Sequence, residues 1–330
     1  MFQLFSSSRP LASLAAALAA ASCMLPAASH AADFPQKPIT IIVPYTPGGS
    51  SDSVARLLGK QLSEQMGQPV LVDNRAGAGA TIGTALVAKA PADGYTVLLA
   101  DNAQTTAPSL YPRLTYDAVT SFRGIGMVGV APAILFSSQQ SNLRSVKDMA
   151  DAQKTRPAGF TIGVGSGSPS HLISELFQMQ SKLKLQMVPY KGASQAAADV
   201  LGGQIDLIFT NPASAGQYVK SGKMYALGVT GTQRHPAFPE LATFKEQGVE
   251  GMNNVSYWFA LLMPAGVPDA VAQKWEKELA TALASAPVSR TLADLGITKV
   301  DMTPAQMQRF LADDKATWAN VVKASGMKLE

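Results

Sequence analysis

ITIIVPYTPGGSSDSVARLL, residues 39–58, decides how the chain is read. Ile39, Ile41, Ile42 and Val43 form a short β-branched run suited to a buried strand, and Val54, Leu57 and Leu58 recur at helical spacing after it. A proline and two glycines separate the two patterns, so the spacing predicts a strand, a tight loop and the first turn of a helix. Gly48 and Gly49 permit close backbone approach, and Ser50, Ser51 and Asp52 are each suited to cap the helix. Unpaired N–H groups at such a helix start face whatever lies above the strand and form an anion site. A plain βα connection has the same composition, so this loop alone does not establish binding.

The unit recurs. Phe160 to Val164 reads as a strand, Gly163 to His171 (GVGSGSPSH) as a glycine and serine loop, and Leu172 to Gln180 as a helix. Capping accounts for one of Ser166, Ser168 and Ser170. Two such units point to a cleft between them.

Strands alternate with helices along the rest of the chain. Further strands are expected at 68–72, 95–100, 185–189, 205–209 and 224–229, and helices at 84–90, 145–152, 193–201 and 241–248. Asp101 to Thr106 reads as a polar loop at the C-terminal end of its strand, where open α/β sheets bind ligands. Residues 125–136 and 256–263 are apolar and extended, as if crossing between two bodies. The tail reads as helices at 271–284, 289–295 and 304–323, suited to pack back on the first body.

Composition narrows the function. Arg9 precedes the alanine-rich apolar run Leu11 to Leu25, and Ser29, His30 and Ala31 supply a cleavage site, so residues 1–31 read as an export signal. A lipid anchor at Cys23 is disfavoured because Ala20, Ala21 and Ser22 make a poor box in front of it. Cys23 is the only cysteine, which leaves the exported chain without a disulfide or thiolate site and suggests a bacterial periplasm. The net charge of +4 comes from scattered Lys and Arg with no run of them, so a nucleic-acid surface is not expected. Gly77, Gly79 and Gly83 lack the tight spacing of a dinucleotide loop. No cofactor or metal is expected.

These blocks resemble the solute-binding receptors of tripartite tricarboxylate transport systems, the Bug family. FPQKPITIIVPYTPGGSSDSVARLL, VDNRAGAGATIGTALVAKAPADGYTVLLA, LYPRLTYD, SGSPSHLISELF, VPYKGASQAAADVLGGQIDLIF, GKMYALGVT and ALLMPAGVP fall in the family's order over essentially the whole exported chain. The resemblance implies an α/β two-domain periplasmic binding protein of the Venus-flytrap, type II-like kind, each domain a mixed sheet flanked by helices. Domain 1 would comprise residues 32–130 plus 257–330 and domain 2 residues 131–256, with the ligand in the cleft between them. It further implies capture of a small mono- or dicarboxylate, aromatic acids included, for a membrane permease, by a protein expected to be a monomer.

In such receptors a ligand carboxylate sits between the two glycine-rich loops, often through bridging waters. Carried over, the first loop supplies Tyr45, Thr46, Pro47, Gly48, Gly49 and Asp52, and the second Gly165, Ser166, Ser168, Ser170 and His171. Asp52 is expected to cap the helix or orient water, and His171 to serve as scaffold. The far end of the ligand falls to Asn102, Gln104, Thr105, Tyr190, Thr210 and Asn211. Thr210 and Asn211 stand where the family often has an acidic residue, which disfavours an amino-group ligand for want of a carboxylate to pair with it. The competing reading is a secreted serine hydrolase of a small ester or amide. It lacks a GxSxG elbow, and only His171 and His235 remain after the signal to act as base.

Overall fold

The computed structural model describes residues 34–190 and 192–327, so the expected export segment and Cys23 lie outside the described residues. From Pro35 onward the chain forms one compact unit containing two five-stranded sheets. In the first, β1 (Ile39–Val43) pairs in parallel with β2 (Val70–Asn74) and β3 (Thr96–Ala100), through helices α1 (Ser50–Met66) and α2 (Thr81–Ala88). β10 (Ser256–Pro264) inserts antiparallel between β3 and β4 (Phe122–Pro132), giving the order β2-β1-β3-β10-β4. The β-branched run of β1 is explained by its central place: Ile39, Ile41, Ile42 and Val43 are all buried.

The second sheet repeats this arrangement. β6 (Phe160–Gly165) pairs in parallel with β7 (Leu185–Tyr190) and β8 (Leu207–Thr210), and β5 (Ile134–Ser138) runs antiparallel between β8 and β9 (Met224–Val229). Its order is β7-β6-β8-β5-β9, so β6 stands where β1 stands in the first sheet. Helices α4 (Val146–Gln153), α5 (Pro169–Ser181), α6 (Ala193–Leu201) and α7 (Pro212–Lys220) accompany it. Clusters around Phe160, Phe177 and Phe209 and around Phe136, Val200 and Ile208 bury apolar residues of the sheet and its helices. Ala133 alone separates β4 from β5; its N–H donates to Thr230 Oγ1 and its carbonyl accepts from Thr230 N. The crossing expected over 125–136 is therefore a single pinned residue between strands of different sheets, while residues 256–263 lie within the first sheet.

Three expectations are corrected. The polar loop expected over 101–106 is instead the start of helix α3 (Ala103–Leu110), because Asp101 Oδ1 accepts from Ala103 N and Ala107 and Leu110 bury an apolar side. Residues 241–248 form turns and not a helix: the Val229 N–H donates to Ala242 O and the Phe244 N–H to Val229 O, holding the segment along the end of β9. The tail, α8 (Asp269–Ala284), α9 (Ala286–Asp294) and α10 (Pro304–Ser325), does not pack on the first sheet alone. Met307 and Leu311 of α10 enter the first sheet's core, and Trp318 and Val322 enter the second's.

Candidate functional site

At β1 the chain leaves to β2 on one side and β3 on the other, a switch point at which loops diverge and open a crevice. Residues 44–49 occupy that point. Gly48 has φ +91°, a left-handed conformation open to glycine, and Gly49 caps α1 without a side chain, leaving the first backbone N–H groups free of a side-chain partner. Asp52 is neither the cap nor part of the cavity wall. Its carboxylate accepts from Gly48 N at 3.0 Å, Asn74 Nδ2 at 3.0 Å and Arg56 Nε at 3.0 Å. Burial opposes its charge, but the bonds from Arg56, Gly48 and Asn74 outweigh burial and hold the carboxyl below its usual range. Asp52 thus ties the glycine loop to α1 and β2.

The second loop stands at the equivalent point of the second sheet. Ser168 occupies the N-cap position of α5 without a side-chain hydrogen bond to the helix, and Pro169 stands in the first turn. Ser168 Oγ and Ser170 Oγ are 2.8 Å apart, Gly165 N donates to Ser170 Oγ at 3.3 Å, and a Cβ on Gly165 would lie 2.8 Å from Ser168 Oγ. His171 Nδ1 accepts from Gly167 N at 3.3 Å, and burial lowers its pKa, so the ring is a neutral prop of the loop. A serine with a hydroxyl for its nearest partner, and a histidine occupied by the backbone, do not form a nucleophile and base.

Asp101 follows β3 and is 8% exposed. Its Oδ1 accepts from the Tyr45 hydroxyl and from Ala103 N, each at 2.9 Å, and its Oδ2 accepts from Ser51 Oγ at 3.3 Å. Burial pushes its carboxyl up from 3.8 to about 6, against those three hydrogen bonds. Burial, and then the charge of Asp101, raise the Tyr45 phenol well above its ordinary value. On the other side Asn211 caps α7, its Oδ1 accepting from Ser214 N at 3.2 Å.

Between the sheets these loops enclose a cavity of about 120 Å³. It is smaller than the roughly 300–1,000 Å³ typical of drug-sized ligands and suits a compact molecule. Of the residues expected from the sequence, Tyr45, Thr46, Gly49, Gly165, Ser168, Ser170, Thr210 and Asn211 line it. Ser50, Ser51, Asp101, Pro169, Ala193, Ser194, Phe209, Tyr257 and Phe259 line it as well. Among the described lining residues there is no Lys, Arg or His. The two sides touch around the cavity: Ser194 Oγ donates to Gly48 O at 3.4 Å, the Tyr257 hydroxyl donates to Phe209 O at 3.3 Å, and a Cβ on Gly192 would lie 3.1 Å from Thr46 Oγ1.

The other expected residues stand elsewhere. Gly48, Asp52, Ser166 and His171 belong to the two loops but not to the wall. Asn102 donates from Nδ2 to Ser256 O and accepts at Oδ1 from Trp258 N, which fixes α3 to β10. Gln104 donates to Ala118 O. Thr105 is fully buried and donates to Asp314 Oδ2 at 2.5 Å. Tyr190 turns its hydroxyl to Asp199, at 2.6 Å, beneath α6. The expectation, drawn from Thr210 and Asn211, that no carboxylate is left at the site to pair an ammonium is corrected: Asp101 lines the cavity.

Two sheets of mixed strands with helices on their faces, and a cavity between the loops of equivalent strands, define a two-domain periplasmic binding protein. Residues 54–327 match the model of the tripartite tricarboxylate transporter family receptor, and the chain belongs to that family. It is 36% identical to BugT of Bordetella pertussis over 300 residues, covering 90% of this chain and 92% of that protein. Among solved structures, the periplasmic binding protein BugD matches with a TM-score of 0.85 and 32% identity, over 90% of this chain and all of that one. The R. palustris protein Rpa4515, solved with adipate, matches with a TM-score of 0.85 and 31% identity over 89% and 99% of the two chains. The chain is a solute-binding receptor of this family and not an enzyme. Among the described residues no cluster of three or more His, Cys, Asp or Glu is placed to hold a metal, and no helix is long and apolar enough to cross a membrane.

Proposed function

We propose that this chain is exported to the periplasm, where it captures a small mono- or dicarboxylate and delivers it to a membrane permease of the tripartite tricarboxylate type. The observation that carries the reading is the small cavity between two helix starts, lined by hydroxyls and backbone with no Lys or Arg among the described wall residues. A helix start contributes about 0.3–1 kcal/mol toward an anion. A hydrogen bond to a charged group contributes about 1.5–3 kcal/mol. Four or five such bonds supply the ~8 kcal/mol of a micromolar complex after ordering losses. Neutral donors also allow release, which a receptor must accomplish. Two lobes, residues 32–130 plus 257–330 and residues 131–256, would close on the ligand, with Tyr45, Thr46, Gly49, Gly165, Ser168, Ser170, Thr210 and Asn211 in contact with it or its waters. Adipate in the R. palustris relative supports an acid as cargo.

A thermal-shift screen of aliphatic and aromatic carboxylates, followed by calorimetry and recovery of the ligand, tests this. At least one acid should raise the melting temperature and return chemically unchanged. A protein that no carboxylate stabilises, or that converts one, would overturn the reading.

A further inference from the structure

Asp101 stands out among the residues of the cavity wall. Among the described residues no cation pairs with its buried carboxylate, which carries a large desolvation penalty, and the rise of its pKa to about 6 expresses it. Holding Tyr45 and Ala103 in place does not require a charge, since both donate to Oδ1 and an asparagine carbonyl offers the same two acceptor sites. An ionised carboxyl has about four acceptor positions. Three are used here, two on Oδ1 at 2.9 Å and one on Oδ2 at the longer 3.3 Å. Oδ2 therefore keeps an acceptor position, beside its weakest partner.

The cavity is also electrically lopsided. Asp101 lies against the first loop through Tyr45 and Ser51, with Asp52 behind that loop. The opposite wall, from Gly165 through Ser168 and Ser170 to Thr210 and Asn211, contributes no acid. A ligand carboxylate is repelled at the first end and accepted at the second.

We propose that Asp101 selects the cargo: the site takes a small carboxylate that also carries a hydrogen-bond donor, a hydroxyl or amino group, with that donor on Asp101 and the carboxylate toward Ser168 and Ser170. The inference rests on the carboxylate-receptor reading and adds to it a ligand class and an orientation.

Calorimetry on the exported chain with matched acids tests it. Lactate is compared with propionate and malate with succinate, and alanine and aspartate form the amino arm. At least one hydroxy or amino acid should bind tenfold or more tightly than its unsubstituted partner, and Asp101→Asn should compress that ratio below threefold. Comparison of the hydroxyl and amino arms identifies the donor. If propionate or succinate binds as tightly as its substituted partners, the role of Asp101 is overturned while the carboxylate reading stands. If the ratio persists in folded Asp101→Asn protein, the role is likewise overturned. Silence of every acid, in a wider carboxylate panel as well, overturns both. The comparison within the native protein needs no variant, so a folding defect in Asp101→Asn does not remove the test.

Discussion

Replacing Asp101 with Asn should stabilise the ligand-free protein, and should do so only where the native carboxyl is charged. The folded pKa is raised from 3.8 to about 6, so between those values the native state holds a proton that the unfolded chain has released. Stability falls as pH rises through this window, and the deficit is complete above pH 6. At ~1.36 kcal/mol per pKa unit it amounts to about 3 kcal/mol. Asn retains an oxygen for Tyr45 and Ala103 but places its amide nitrogen where Oδ2 accepts from Ser51, and loss of that bond returns about 1–2 kcal/mol. A net gain of about 1–2 kcal/mol at pH 7.5 remains, corresponding to a few degrees in melting temperature. The assay is denaturant or calorimetric unfolding of both proteins without ligand from pH 3.5 to 8. Other groups titrate alike in both and cancel in the difference. A difference independent of pH, or an advantage that grows on acidification, would refute the reasoning.

Asp52→Ala should lose about 1–3 kcal/mol at pH 7, because Gly48, Asn74 and Arg56 lose their shared acceptor. Its folded pKa is depressed, so the contribution is present above the unfolded value and lost as pH falls through the folded one; chemical unfolding should show the gap to the native protein closing in acid. Gly192→Val suits the extended backbone there (φ −173°) but meets Thr46 across the cavity, so it should weaken ligand binding by about 1–3 kcal/mol in calorimetry and leave the ligand-free melting temperature within a degree or two. Trp318→Ala empties a site in the second core at the far end of α10 and should cost about 3–5 kcal/mol. Because α10 enters both cores, its scanning calorimetry should broaden or split as the two halves unfold less cooperatively.

The strand, loop and helix units at 39–58 and 160–180 were legible because each changes period sharply, from a buried apolar run to helical spacing, across glycines and serines. Topology then places the two loops opposite each other, which no local pattern states. Asp101 was hidden for a physical reason. A polar run after a strand reads as a loop, but Asp101 here begins a helix, and helical spacing turns Asn102 and Thr105 together onto one face, toward β10 and α10 and away from the cavity. Tyr190 is similar: an aromatic at a strand end suggests a ligand platform, while its hydroxyl pairs with Asp199. In α10 the apolar positions Met307, Leu311, Trp318 and Val322 reveal a buried stripe but not that two cores share it. The apparent helix at 241–248 failed because one turn, closed by Thr243 and Glu246 through reciprocal bonds and ended by Gly248 at φ +80°, imitates a helix start.

The central claim is that the cavity between the two glycine loops is where this receptor holds a small carboxylate. A crystal structure with the tightest acid from the screen tests it most directly. The account predicts the ligand held between the sheets and hydrogen-bonded, directly or through water, to the loops of 44–49 and 165–170 together, with its carboxylate toward Ser168 and Ser170. An acid bound by one lobe alone, or in the groove beside β9 lined by Arg144, Tyr225 and Phe238, would contradict it.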